Sequence, residues 1–153
     1  DETNIPKWEE IKKRAEEQGL KLCRLCGSLE MDIAELTDEE AAEFTAGLDI
    51  TEPGRERLIE EAYKVLGLIS FFTCGPDEVR AWTLHNGENA VDAAGTIHSD
   101  LARGFIRAQV VAFDDYAAHG NSFDECRKAG CLRLEGKEYI VKDGDMIEIR
   151  FNV

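Results

Sequence analysis

Apolar and polar positions along this chain follow two regimes that meet near residue 66. In the first, apolar residues recur at helical spacing. Trp8, Ile11 and Ala15 share one face of a predicted helix that Pro6 opens and Gly19 ends. Residues 20–25 are short, alternating and apolar-rich, and are predicted as a strand. Helix and strand together read as the end of an α/β unit. Thr37 and Glu40 have capping-box spacing, which opens a helix through Ala46 that Gly47 closes. A further helix over 53–66 carries a broad apolar face of Leu58, Ile59, Ala62, Tyr63, Val65 and Leu66, with Gly67 in its C′ position.

After Gly67 the pattern shortens to strands. Residues 69–74 and 79–84 are predicted strands joined by the turn Gly75-Pro76-Asp77. Asn89 caps a helix from Ala90 whose apolar stripe is Val91, Ala94 and Ile97, and Ser99 caps a short turn through Leu101. A strand over 105–113 follows, then a helical stretch over 114–119, then a helix that Ser122 caps and Gly130 ends. Three strands over 131–134, 138–141 and 146–151 complete the pattern, with Glu135-Gly136 and Asp143-Gly144 as their turns. Hairpin, helix, then further strands imply an α+β class with one mixed sheet around one helix. The order alone does not select a β-grasp.

Composition places the chain among globular proteins, with 43% apolar and 33% charged residues. No apolar run approaches the roughly 18 residues of a membrane span. The opening residues Asp1 to Lys7 lack the basic-then-apolar order of a signal peptide. A cytoplasmic protein without membrane association is therefore expected. The net charge of −14 disfavours general nucleic-acid binding. Residues 1–66 hold 9 basic and 18 acidic side chains, and residues 67–153 hold 9 and 14, so any RNA-binding face is local and belongs in the second half.

Five cysteines cannot all pair, and free thiols are expected. Cys23 and Cys26 form a C-x-x-C, but a zinc site needs a second pair or two histidines. Cys126 and Cys131 stand about 100 residues away, and His85, His98 and His119 show no ligand spacing. No metal is expected. Thiol-based redox sensing at Cys23 and Cys26 is the alternative.

Several runs in the second half carry a resemblance. Ser70-Phe71-Phe72-Thr73-Cys74-Gly75-Pro76 precedes Glu78-Val79-Arg80-Ala81-Trp82-Thr83; Ala93-Ala94-Gly95-Thr96-Ile97-His98-Ser99-Asp100-Leu101 precedes Gly104-Phe105-Ile106-Arg107-Ala108. The stretch from Leu134-Glu135-Gly136-Lys137-Glu138-Tyr139 to Asp143-Gly144-Asp145, closing on Arg150-Phe151-Asn152-Val153, completes the set. These runs resemble the TGS domain of the YchF-type, Obg-like ATPases. The resemblance implies a ubiquitin-like β-grasp over 67–153 and the C-terminal fragment of a P-loop NTPase domain over 1–66. It also implies a ribosome, RNA or protein partner, and ATP with Mg2+ in the full-length parent. By the same resemblance, Gly27, Ser28 and Leu29 are the loop nearest the nucleotide base, and Glu2 ends a base-reading motif whose asparagine would precede Asp1.

The phosphate-holding run Gly-x-x-x-x-Gly-Lys-[Ser/Thr] does not occur in the sequence. No catalytic residue and no cofactor are therefore expected in this chain. Weak nucleotide binding by the 26–30 loop is the enzyme-class alternative. A sulfur-carrier role is disfavoured because the chain ends Arg-Phe-Asn-Val and not in a Gly-Gly tail. The expected RNA- or ribosome-binding residues are Arg103, Arg107, Arg127, Lys128, Arg133, Lys137 and Lys142, against scattered surface charge. Trp82 and Phe105 are read as core residues before stacking platforms. His98 is read as a cap at the end of the Ala90 helix. Asp143-Gly144-Asp145 is read as a turn and not as a cation site.

Overall fold

The computed structural model describes residues 7–48, 50, 53–75 and 78–152. Pro6, Glu2 and the Pro76-Asp77 part of the expected turn lie outside the described residues. The chain divides into two compact units, Asp1–Leu66 and Gly67–Val153.

Among the described residues the first unit holds four helices: α1 (Trp8–Glu17), α2 (Gly27–Ala34), α3 (Asp38–Gly47) and α4 (Gly54–Leu66). Gly19, at φ 67°, turns the chain out of α1, and the Leu20 amide bonds back to the Ala15 carbonyl at 2.8 Å. The Thr37–Glu40 capping box forms in both directions, with the Thr37 amide donating to Glu40 Oε2 at 3.0 Å. Residues 20–25 are extended but form no strand, contrary to their alternating pattern. A strand exists only through its ladder, and no described neighbour supplies one. Arg24 instead stacks 4.9 Å over the Trp8 ring.

The second unit is a five-stranded sheet in the order β2-β1-β5-β3-β4. Its strands are β1 (Leu68–Cys74), β2 (Val79–His85), β3 (Phe105–Ala112), β4 (Arg133–Glu135) and β5 (Asp145–Phe151). β1 and β5 run parallel at the centre, and the other pairs are antiparallel. Helix α5 (Ala90–Ile97) follows the first hairpin, and α6 (Ser99–Arg103) follows it directly. The hairpin, the helix packed on one face and the returning strands make this a β-grasp within the α+β class.

One face of the sheet buries Ile69, Phe71, Leu84, Phe105, Ala108, Val110 and Ile147 against Ala90, Ala93 and Ala94 of α5. Alanines on the helix let it lie close to these larger strand residues. Asn89 caps α5 by accepting the amides of Val91 and Asp92 at 2.8 and 3.2 Å. Phe105 is buried, and the Trp82 indole packs on this core while donating to Thr73 Oγ1 at 2.9 Å. Both have structural surroundings. The opposite face is covered at one end by α7 (Phe113–Ala118) and α8 (Phe123–Ala129), where Val111, Tyr116, Cys126 and Met146 form a second cluster.

Two local expectations change. Residues 138–141 are not a strand; Ile140 makes a single bridge to Asn89. Two backbone bonds, from the Ala90 amide to the Tyr139 carbonyl at 2.9 Å and from the Val141 amide to the Glu88 carbonyl at 3.1 Å, hold the segment together with side chains. Asp145, 2% exposed, accepts the Tyr139 hydroxyl at 2.8 Å, the Lys142 amide at 2.9 Å and the Arg133 guanidinium at 3.3 Å. Burial, and then the bond to Asp145, push the Tyr139 phenol up to about 12. His98, and not Ser99, caps α6: its Nδ1 accepts the Asp100 amide at 3.1 Å. The ring therefore serves the start of α6, while the His98 amide closes α5 with a bond to the Ala94 carbonyl at 3.0 Å. Replacing Asp145 with alanine leaves the Tyr139 hydroxyl and the Lys142 amide without their acceptor and removes one acceptor of the half-buried Arg133. An expected loss of about 2 kcal/mol should appear as a lower urea midpoint at unchanged slope.

Candidate functional site

The seven cationic residues expected to form a binding patch do not share one surface. Arg103 pairs with Asp100 beside α6. Lys128 pairs with Glu125 at 2.6 Å on the exposed side of α8. Lys137 and Lys142 are exposed in the segment between β4 and β5. Arg133 stands opposite Val110 in the β3–β4 register, which places it on the α5 face with its bonds to Tyr139, Glu135 and Asp145. It buttresses the fold from the wrong side of the sheet for the patch.

Arg107 and Arg127 do come together, and a third arginine joins them. β3 and β5 set Arg107 directly opposite Arg150. Opposed residues of an antiparallel ladder project from the same face, here the one that α7 and α8 leave open. Like charges in this relation are destabilising. Arg150 has Glu148 at 3.2 Å; Arg107 has no ion-pair partner among the described residues. Arg127 reaches from α8 to the sheet, donating to Gln109 Oε1 at 2.7 Å and to Asp124 at 2.5 Å. The three arginines border a shallow depression of about 590 Å3 with Ile106, Leu132, Leu134 and Phe151. Ile106, Leu134 and Phe151 are each about half exposed. Isolated exposed apolar residues are ordinary; here three lie beside three guanidiniums, a mixed apolar and cationic surface. Arg150 was invisible as a member because strand register, not spacing, brings it to Arg107.

In the first unit, Gly27, Ser28 and Leu29 form the first turn of α2 and not an irregular loop. Their amides point out of the helix start, as the first-turn amides of any helix do. Cys26 occupies the N-cap, with its Sγ 3.3 Å from the Ser28 hydroxyl. That hydroxyl, then the Leu29 amide, hold the Cys26 thiol below its ordinary range. Glu30 is committed elsewhere. Its carboxylate accepts the Gly54 and Arg55 amides at 2.8 and 3.2 Å, capping α4. The approach requires glycine at 54, since a Cβ there would lie 2.6 Å from the Glu30 carboxylate.

Asp143 and Asp145 are likewise committed, Asp143 to the Ser70 amide at 2.7 Å and Asp145 to its three donors. Gly144, at φ 79°, makes the turn between them. Each acidic side chain there holds the fold. Spacing in sequence also misjudged a different set: the fold brings His119, Cys126 and Cys131 together, with one ligand atom of each within 4.8 Å of the others.

A family model named YchF-GTPase_C, described as a protein of unknown function (DUF933), matches residues 68–152. The chain belongs to the YchF-GTPase_C family. Ribosome-binding ATPase YchF of Haemophilus ducreyi is 45% identical over 150 residues, which is 98% of this chain and 41% of that protein. Its Bacillus subtilis counterpart is 47% identical over 143 residues, 94% of this chain and 39% of the relative. Among solved structures, the YchF GTPase of Schizosaccharomyces pombe superposes with a TM-score of 0.82 at 33% identity, covering 97% of this chain and 39% of that one. The chain thus spans about two fifths of the length of these relatives. No described helix of this YchF-type chain is long and apolar enough to cross a membrane.

The Cys26 environment has a direct readout. Its thiolate should be alkylated by iodoacetamide at pH values where the buried Cys126, whose thiol burial pushes up, stays unreacted. Replacing Ser28 with alanine removes the largest stabilising contact and should shift the Cys26 alkylation profile to higher pH. Peptide mass spectrometry across a pH series checks both.

Proposed function

We propose that residues 67–153 are a TGS-type docking module that contacts ribosomal RNA through the open sheet face. In this reading residues 1–66 are the C-terminal part of a P-loop NTPase domain, and the whole parent acts in the cytoplasm. The observation that carries the proposal is the opposed Arg107–Arg150 pair bordering a depression that the half-exposed Ile106, Leu134 and Phe151 also line. An anionic partner relieves the repulsion between the guanidiniums, whose planar forks suit phosphate. The apolar neighbours and Arg planes suit stacked bases. The names of the bacterial relatives, ribosome-binding ATPases, support the same direction.

The assignment of residues 1–66 has its own support. Leu20, Leu25, Met31, Leu58, Ile59, Val65 and Leu66 are large, apolar and exposed in a unit where Ala15 alone, among the described residues, is a buried hydrophobic side chain. Such a unit fits as part of a larger domain. Within it, the first turn of α2 is proposed to present the Gly27, Ser28 and Leu29 amides to a nucleotide base, with Glu2 contributing to the same subsite.

In this reading ATP, which the relatives' names imply, would meet these residues only at its base, and the Mg2+ expected with it belongs to the full-length parent. The 153-residue sequence contains no phosphate-cradling Gly-x-x-x-x-Gly-Lys-[Ser/Thr] run, and Glu30 is occupied by the α4 amides. Hydrolysis is assigned to the full-length parent, and no step is derived for this chain. A second reading, thiol-based regulation, is favoured by one observation, the lowered Cys26 thiol at a helix start.

Co-sedimentation with ribosomes over a salt series tests the docking face. Exchanging Arg107 and Arg150 together for alanine should weaken pelleting several-fold and flatten the salt dependence by about 1 to 2 in log–log slope. Exchanging Lys128, paired with Glu125 on α8, should change neither. Equal effects from the two variants, or none from the first, would remove the face from the interface.

A further inference from the structure

We propose that His119, Cys126 and Cys131 form a three-ligand site for a zinc ion on the α7–α8 side of the sheet. The sequence hides the site because its spacing is H-x6-C-x4-C, and both gaps are taken up by helix ends. His119 is the C-cap of α7, and its ring bonds at Nδ1 to the Asp115 carbonyl at 2.7 Å, which anchors it there. Cys126 lies in the last turn of α8 and is fully buried. Gly130, at φ 81°, reverses the chain after that helix, and the Cys131 amide bonds back to the Cys126 carbonyl at 3.1 Å. The reversal brings Cys131 beneath Cys126, with its Sγ 3.3 Å from the same carbonyl and 4.0 Å from His119 Nδ1, the nitrogen that bonds to Asp115.

The three ligand atoms lie within 4.8 Å of one another. Tetrahedral zinc with Zn–S bonds of about 2.3 Å holds its sulfurs about 3.8 Å apart, so closure asks for movements of about 1 Å or less. Half-exposed Cys131 and His119 can supply these by small rotations while Cys126 stays in place. Two thiols and a neutral imidazole bind Zn2+ with release of two protons, giving a centre of zero net charge. That neutrality suits the surroundings, which are apolar: Val111, Tyr116, Met146, Phe123 and Leu132. Thiolate and imidazole donors select zinc over the hard cations that carboxylates bind. Binding at Nδ1, the ring nitrogen nearest Cys131, exchanges its bond to the Asp115 carbonyl for the metal. Three protein ligands leave one position for water. The ion would tie the end of α7 to the end of α8 and so fix the cover over that end of the sheet.

The test titrates the reduced 153-residue chain with Co2+, whose thiolate charge-transfer band in the near ultraviolet and tetrahedral visible bands report the ligands directly. One equivalent should produce both, and Zn2+ should abolish them by displacement. Cys131→Ser and His119→Gln change half-exposed positions and should preserve the far-ultraviolet circular dichroism while weakening Co2+ binding at least tenfold. A Cys23→Ser/Cys26→Ser double variant should bind as the parent does. Zn2+ should also raise the unfolding temperature of the parent and not of Cys131→Ser. Absence of the bands in the reduced parent, or their retention in Cys131→Ser with loss in the Cys23/Cys26 variant, would overturn the site.

Discussion

The β-grasp unit depends on one buried carboxylate. Asp145 begins the central strand β5 while accepting Tyr139 and Lys142 from the segment that leads into it and Arg133 from β4. A segment without a continuous ladder cannot satisfy its backbone through a sheet, so residues 136–144 rely on these bonds, on backbone bonds to Glu88 and Ala90, and on the clasp to β1. In that clasp the Asp143 side chain accepts the Ser70 amide, and the Gly144 amide donates to the Ser70 carbonyl at 2.8 Å. β5 lies between β1 and β3. Its register sets which residues meet α5 and which face outward. The Arg107–Arg150 pairing is therefore a downstream consequence of where Asp145 starts the strand.

The two faces of the sheet then have different roles. The α5 face is closed, with alanines against large strand residues, and it accepts polar groups only where they are paired, as in the Arg133–Tyr139–Asp145 group. The other face is closed at one end and open at the other. Its closed end carries the His119, Cys126 and Cys131 group and a Tyr116 phenol that burial, and then Cys74, push up to about 12. Its open end carries three arginines, and the depression they border is also lined by Ile106, Leu134 and Phe151. Arg127 connects the two ends, since it stands on α8 and bonds to Gln109 in β3. Any change that loosens α8 would also move an arginine of the open face.

Much of this was legible in the sequence, for physical reasons that can be named. Caps and turns are local, so Thr37 with Glu40, Asn89, Ser122 and Gly130 marked their helix ends correctly. Period-two alternation found β1, β2, β3 and β5 to within a residue or two. What failed was non-local. Residues 20–25 and 138–141 have strand-like patterns, but a strand also needs a neighbour, and only the fold shows whether one is present. Arg133 and Arg107 looked equivalent as basic residues; pairing with Val110 and Arg150 respectively puts them on opposite faces. His98 was read as a cation at the end of one helix, whereas its lone pair serves the start of the next. The His119, Cys126 and Cys131 group escaped because ligand spacing rules assume ligands on one turn or one hairpin, and here two helix ends intervene.

Charge magnitudes decide how the open face could work. The chain carries −14 overall, but at physiological ionic strength charges separated by more than about 8 Å are largely screened. A partner on the open face therefore responds to that face and not to the total. Even locally the positive excess is small, because Asp124 offsets Arg127 and Glu148 offsets Arg150. Arg107 supplies the uncompensated charge. Recognition by such a surface cannot rest on bulk attraction of the kind that draws strongly basic domains to any nucleic acid. In the proposed docking it would rest on exchange: a phosphate takes over guanidiniums that already have partners, while Ile106, Leu134 and Phe151 leave water. Exchange gains little per charge and depends strongly on fit. That makes the face selective for a partner of matching shape, and it places the burden of affinity on geometry that Asp145 and α8 hold in register.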